Sequence, residues 1–237
     1  LIPLRDDNPT RTFPLLVVAV IAANVAIYSY ISVMPQQQQQ QVFYSLATIP
    51  AEVLSGQHIG AAAIHPAWLT LFTSMFMHGS WMHLLGNMLY LWIFGNNIED
   101  LLGKLKFIAF YLVSGLAAMM THVAFNPHSQ VPAVGASGAI SGVLGAYAVK
   151  YPFARVYTLA FLWPFVRVVV LPAWVLLGLW FLFQLLGGAV SMGAASGAGI
   201  AWFAHVGGFV AGIVMILLIT PRKKRGRGWR QSEADWS

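Results

Sequence analysis

The chain has 237 residues, of which 58% are hydrophobic and only 8% charged. That composition excludes a disordered segment or an ordinary soluble domain and puts the sequence in the membrane class. With no cysteine present, disulfides, thiol catalysis and thiolate metal sites are excluded as well.

In chain order, an arm over residues 1–12 carries Arg5 and Arg11, and six apolar runs follow at 13–34, 80–97, 107–125, 136–150, 171–188 and 199–220. A membrane-crossing helix needs about 20 apolar residues, so the chain supplies six spans and little else. The loop after the second run holds Lys104 and Lys106, the loop after the fourth Lys150, Arg155 and Arg167, and the tail six more cations between Arg222 and Arg230. Loops 35–79, 126–135 and 189–198 contain neither Lys nor Arg. Basic residues stay cytoplasmic in short loops, which predicts both termini inside and the three bare loops outside. The expected architecture is all-α: a cytoplasmic arm (1–12), a six-span domain (13–220) with a long outer first loop, and a basic cytoplasmic tail (221–237). Directly after a span, that tail reads as an anchor on anionic lipid rather than a nucleic-acid site. The first run is too long for a signal peptide, and Ser32-Val33-Met34-Pro35 lacks a small-x-small cleavage pattern.

Gln36–Gln41 is a low-complexity polar run and reads as a solvated linker. The remainder of the first outer loop is unusually apolar, from Phe43 to Leu54 and from Trp68 to Met77. It is expected to hold short helices in the membrane interface. The 151–170 loop is also rich in aromatic and apolar residues (Tyr157, Phe161, Trp163, Phe165), which leaves its boundary with the fifth span open.

Polar residues inside spans are costly and therefore informative. His83 and Asn87, four apart in the second span, share one helical face within about two turns of the outer surface. Ser137 opens the fourth span within Gly135-Ala136-Ser137-Gly138, on a surface kept small by Gly135, Ala136, Gly138, Ala139, Ser141, Gly142 and Gly145. A helix start also offers unpaired N–H groups to an anion. His205 lies about six residues, roughly 9 Å, into the sixth span, and Gly208 and Gly212 continue its face. Each group has a plain structural reading: interhelical hydrogen bonds, a helix cap, small-residue packing. Together, at matched depth, they suit nucleophilic catalysis: packing of the two glycine faces would bring His205 within reach of Ser137.

His-x-x-x-Asn in the second span, Gly-x-Ser-Gly opening the fourth, and Ala-His-x-x-Gly-x-x-x-Gly in the sixth resemble the rhomboid intramembrane serine proteases of six-span bacterial type, over about Leu46 to Thr220. Arg5-Asp-Asp-Asn-Pro9 and Gly95-Asn-Asn-Ile-Glu99-Asp100 are similar to segments of bacterial members. The resemblance implies an endopeptidase of transmembrane segments near the outer face, in a bacterial cytoplasmic membrane. Ser137 would be the nucleophile and His205 the general base and then acid. The oxyanion hole would be His83, Asn87 and the Ser137 backbone N–H, with Gly135, Gly138, Gly142, Gly208 and Gly212 as packing positions. No acid completes a triad, because none of the seven carboxylates falls on an outer-half helical position. No metal or cofactor is expected, and the partners are membrane-protein substrates and lipid, not nucleic acid.

Two departures stand out. Leu69-Thr70 occupies the place where many relatives have Trp-Arg, and Ser141 stands where many have an aromatic packing on the catalytic histidine. What anchors the loop, and what holds the His205 ring, is therefore left open. His78 resembles a loop histidine of the family and reads as structural or water-positioning, and Glu99 as a cap or ion-pair partner near the inner surface. Among rival classes, a metalloprotease would want His-Glu-x-x-His and a transporter paired broken helices across a repeat; the sequence has neither. A non-catalytic rhomboid-like binder of membrane helices is the alternative.

Overall fold

The computed structural model describes residues 1–57, 66–162, 165–192 and 201–220. Strand β1 (Ile2–Asp6) precedes helix α1 (Leu15–Ser32). The long loop that follows carries α2 (Gln36–Leu46), α3 (Pro50–Ser55) and α4 (Thr70–Thr73), the last between two short 3-10 turns. Next come α5 (Trp81–Leu102), α6 (Lys104–Phe125) and α7 (Ser137–Lys150). The pair β2 (Arg155–Leu162) and β3 (Phe165–Pro172) leads into α8 (Ala173–Met192), and α9 (Trp202–Ile219) closes the described chain.

Among the described residues each of the six apolar runs contains a helix, and four of these helices (α1, α6, α8 and α9) are long and apolar enough to cross a membrane. Apart from Lys104 and Lys106 at the start of α6, their outward faces are largely apolar, with Leu182, Phe183, Leu186 and Val190 on α8 and Val210, Val214, Leu217 and Leu218 on α9 all exposed. A continuous apolar exterior of this extent suits hydrocarbon, not water. The protein is a mostly helical membrane protein. Helix α5 mixes His, Asn, Glu and Asp into its 22 residues. Helix α7 has 14 residues, about 21 Å of rise against a hydrocarbon core of about 30 Å.

Helix α7 is the axis of the bundle. Every residue from Gly138 to Tyr147 is buried, because its small side chains let neighbours close in from all sides. Around it, Leu84, Leu91, Phe94, Ile98, Phe107, Tyr111 and Leu177 form the main core.

The arm before α1 is pinned at the end of the bundle opposite Ser137. Glu99, only 2% exposed, accepts from the backbone N–H of Leu16 at 3.1 Å and of Val17 at 2.8 Å. It thus satisfies two of the free donors at the start of α1, where the helix dipole also favours an anion. Asp100 accepts from the Thr12 N–H and hydroxyl at 2.9 and 2.7 Å. The Asn97 amide donates to Asn8 O at 3.0 Å, and the Tyr147 hydroxyl donates to Asp6. Arg155 donates to Asp7 through Nε at 2.6 Å and through its backbone N–H at 2.9 Å.

Two expectations need correction. The fold is not all-α: β1, β2 and β3 make an antiparallel sheet in the order β1-β2-β3, with Tyr157 facing Arg5 on one side and Val170 on the other. Residues 155–172 are dense in β-branched and aromatic side chains, which suit a pleated surface, and the alternation buries Val156, Thr158 and Ala160. The arm supplies strand β1 of this sheet. The glutamine run is not a linker but most of helix α2, since Gln is a good helix former once Pro35 starts the turn. From that helix the Gln39 amide donates to Met34 O at 2.8 Å and Ser32 O at 3.3 Å, covering carbonyls at the end of α1. Trp163, the expected start of the sixth span near Gly199 and the 221–237 tail lie outside the described residues.

The long loop is anchored without a Trp-Arg pair. Thr48 and Ala133 exchange backbone hydrogen bonds at 3.0 and 2.8 Å. The Thr48 hydroxyl bridges Thr70 O and Ser74 Oγ at 2.8 and 2.9 Å. Ser74 O in turn accepts from the Gly135 N–H at 2.9 Å, so the loop is tied directly to the segment that presents Ser137.

Candidate active site

Helices α5, α7 and α9 begin at the same end of the bundle, and the polar residues singled out from the sequence sit in their first two turns. Ser137 is the first residue of α7, His205 the fourth of α9, and His83 and Asn87 the third and seventh of α5. Helices α7 and α9 meet backbone to backbone. A Cβ added at Gly208 would collide with Gly138 O, one at Gly212 with Gly142 O, and one at Gly145 with Phe209 O. Glycine at these places is a requirement of the approach, and the approach sets the side-chain geometry one turn further out.

At that distance His205 Nε2 lies 2.8 Å from Ser137 Oγ, and both residues are half-buried. The other ring nitrogen, Nδ1, lies 2.7 Å from Oε1 of Gln184 on α8. The Gln184 amide nitrogen donates to Trp180 O at 3.3 Å. The Trp180 ring itself lies at a 40° tilt from the His205 ring, with centroids 5.9 Å apart. These two α8 residues occupy the neighbourhood that the sequence left open around His205. Ser141 cannot serve there, because its hydroxyl turns back to donate to Ser137 O at 2.6 Å.

Gly135 adopts φ +127, a backbone region closed to ordinary side chains. A Cβ there would come within 2.8 Å of the His83 ring and 3.5 Å of Ser137 Oγ, so His83 lies beside the serine across a gap only glycine leaves. Asn87 Nδ2 is 3.0 Å from His78 Nε2, which occupies one of its two amide hydrogens and leaves the other. His78 is buried, and its ring stands edge-on to His83 at 5.1 Å. A cavity of about 240 Å³ opens beside His83, lined among others by His122, Asn126, Ser129, Trp202 and Phe203.

Chemically, the arrangement offers a hydroxyl hydrogen-bonded to an imidazole, which is the pairing an activated nucleophile needs. It also offers polar hydrogens from α5 and, at the start of α7, N–H groups that have no partner within the helix. Gln184 was missed in the sequence. The available signal was its place as the lone amide in α8, among Leu, Phe, Trp and Val, since a polar side chain there is as costly as His83 or Asn87.

Known proteins point the same way. Residues 65–222, about two thirds of the chain, match the family described as Rhomboid domain. Presenilin-associated rhomboid-like protein, mitochondrial, of Homo sapiens is 32% identical over 143 residues, covering 59% of this chain and 34% of that protein. Rhomboid protein 1, mitochondrial, of Saccharomyces cerevisiae is 32% identical over 97 residues, 39% of this chain and 28% of the relative. Putative rhomboid protease YdcA of Bacillus subtilis is 31% identical over 115 residues, covering 46% and 56%. The matched stretch spans about a third of the two mitochondrial relatives and about half of the bacterial one. The breadth of the domain match, with relatives in bacteria and mitochondria alike, establishes that this chain belongs to the rhomboid family.

Proposed function

We propose that this protein is an intramembrane serine endopeptidase that cleaves transmembrane segments of other membrane proteins through Ser137 and His205. The observation that carries the reading is the 2.8 Å contact between Ser137 Oγ and His205 Nε2, half-buried at the start of two helices. All six apolar helices span, with both termini cytoplasmic and the Ser137 end facing out, as in a bacterial cytoplasmic membrane. The shorter α7 then leaves the site below the surface at the outer end, within reach of water. Every described Lys and Arg lies in the arm, the 103–106 turn, the end of α7 or the sheet, away from that end, as the positive-inside rule requires.

In the reaction, His205 Nε2 takes the Ser137 proton as Oγ attacks the peptide carbonyl. It then gives that proton to the leaving amine. Water repeats the cycle on the acyl-enzyme. The oxyanion is held by the His83 ring, the free Asn87 amide hydrogen and the Ser137 N–H, assisted by the positive end of α7. A substrate helix has its own backbone hydrogen bonds to break before a carbonyl is exposed, so small or helix-breaking residues near the outer surface favour cleavage.

The test is cleavage of a labelled single-span substrate in liposomes by wild type, Ser137→Ala and His205→Ala. Turnover by wild type and none by either folded variant supports the dyad. Equal cleavage by all three refutes it, and no cleavage of any of several substrates leaves a helix-binding role in its place.

A further inference from the structure

We propose that Gln184 is a positioning residue of this site: its side-chain carbonyl fixes His205 in the one neutral tautomer that presents a free Nε2 to Ser137. The inference rests on the protease reading above. It follows from a polarity that runs in one direction through four groups. Trp180 O is acceptor only, so the Gln184 group 3.3 Å from it is the NH2. The amide oxygen therefore faces His205 Nδ1 at 2.7 Å. An amide oxygen only accepts, so the hydrogen is on Nδ1. A neutral imidazole protonated at Nδ1 has its lone pair on Nε2, and Nε2 lies 2.8 Å from the Ser137 hydroxyl. The opposite tautomer would set two lone pairs against each other in a place where Gln184 is 7% exposed, and a buried polar group left unpaired is expensive.

An amide does half of what a carboxylate does at this position. It sets tautomer and ring orientation, but being neutral it gives the imidazolium formed during attack no full opposing charge. The groups facing the ring are Ser137 from α7, and Trp180 and Gln184 from α8. The titratable groups whose charge reaches it are His83 of α5 and His122 of α6. Among the described residues no carboxylate, lysine or arginine stands in that shell, so a charge introduced at position 184 acts without competition. Purely adhesive packing of α8 on α9 would need the hydrogen bond for stability alone and would not tie it to proton transfer.

The experiment measures kcat and KM against pH for the full-length protein in liposomes, comparing wild type, Gln184→Met and Gln184→Glu, with thermal unfolding as the folding control. Gln184→Met keeps the length and removes the acceptor; kcat should fall about 10- to 100-fold with KM unchanged, because Gln184 does not touch substrate. Gln184→Glu keeps the acceptor; kcat should recover, and the acid limb of the profile should move up by about one pH unit, since an anion beside Nδ1 favours the charged ring. A Met variant with wild-type kcat, or a Glu variant with an unmoved acid limb, would overturn the proposal. Should the Met variant not fold, the limb of the Glu variant decides. Should wild type show no Ser137-dependent cleavage, the protease reading fails separately, and 15N NMR of the histidines then reads the tautomer directly. Nδ1–H in wild type that is lost in a folded Gln184 variant supports the positioning role, and an unchanged tautomer rejects it.

Discussion

At the end of the bundle where α1 begins, Glu99, Asp100 and Asp7 hold charged oxygens against backbone N–H groups, a hydroxyl and an arginine. At the end where α7 and α9 begin, Ser137, His205, Gln184, His83 and Asn87 gather with no carboxylate among them. The first set accepts from backbone N–H groups, a hydroxyl and a guanidinium, and the product is a fixed arm and a capped helix. Within the second set, Ser137, His205 and Gln184 form a line of neutral donors and acceptors that ends on Trp180 O, each passing one hydrogen to the next, with the Ser137 hydroxyl at its head. The contrast separates two uses of polar groups in an apolar protein. Full charge met by fixed donors suits attachment, as at the 2% exposed Glu99. Neutral polarity leaves a proton free to move.

The comparison is broken most severely by forcing α7 and α9 apart. Gly212→Leu would drive a side chain into the Gly142 backbone; Ser137-dependent turnover should drop by more than about 100-fold, and overpacking should cost about 1–3 kcal/mol in unfolding measurements. Gly178→Ala is the control, because a Cβ there meets nothing within 4 Å and Ala is the better helix former by up to about 1 kcal/mol. A tolerant Gly212 would mean that the helix approach does not set the catalytic distance.

A milder effect with the opposite character is expected at the other end. Glu99→Gln removes the charge that caps α1 and should cost about 1–3 kcal/mol of stability, read by thermal or denaturant unfolding. Turnover of the folded fraction should stay within about twofold. A large kcat defect without loss of stability would show that the two ends are not separable.

The smallest effect concerns Asp7, an exposed position. Hydrogen bonds from the Arg155 side chain and backbone hold the Asp7 carboxyl below the ordinary value of 3.8. A carboxyl depressed on folding contributes its stability above the unfolded value, and that contribution fades as pH falls below about 4 through the folded value. Wild type and Asp7→Asn should therefore differ slightly in unfolding temperature at neutral pH and converge in acid. A difference that grows in acid would contradict the pairing.

The six helices were legible because hydropathy is a strong signal over twenty residues. His83, Asn87, Ser137 and His205 stood out as candidates because polar residues in apolar runs are few. The sheet was not: an apolar, β-branched run beside a span reads equally well as more helix or buried loop. Its third strand comes from Ile2–Asp6, about 150 residues away in sequence, a pairing that no local pattern announces. The glutamines of α2 misled through their composition, since a polar repeat says nothing about the carbonyls that Gln39 covers. Gln184 escaped for a related reason. Its partners lie on its own helix and on α9, so its meaning is a tertiary contact rather than a motif.

Covalent trapping of the nucleophile tests the central claim most directly. Protein in liposomes is exposed to a serine-reactive fluorophosphonate, and the modified peptide is located by mass spectrometry in wild type and His205→Ala. A single adduct on Ser137 that disappears when His205 is removed is the predicted result. An adduct on another residue, or Ser137 labelled equally fast without His205, would contradict the account.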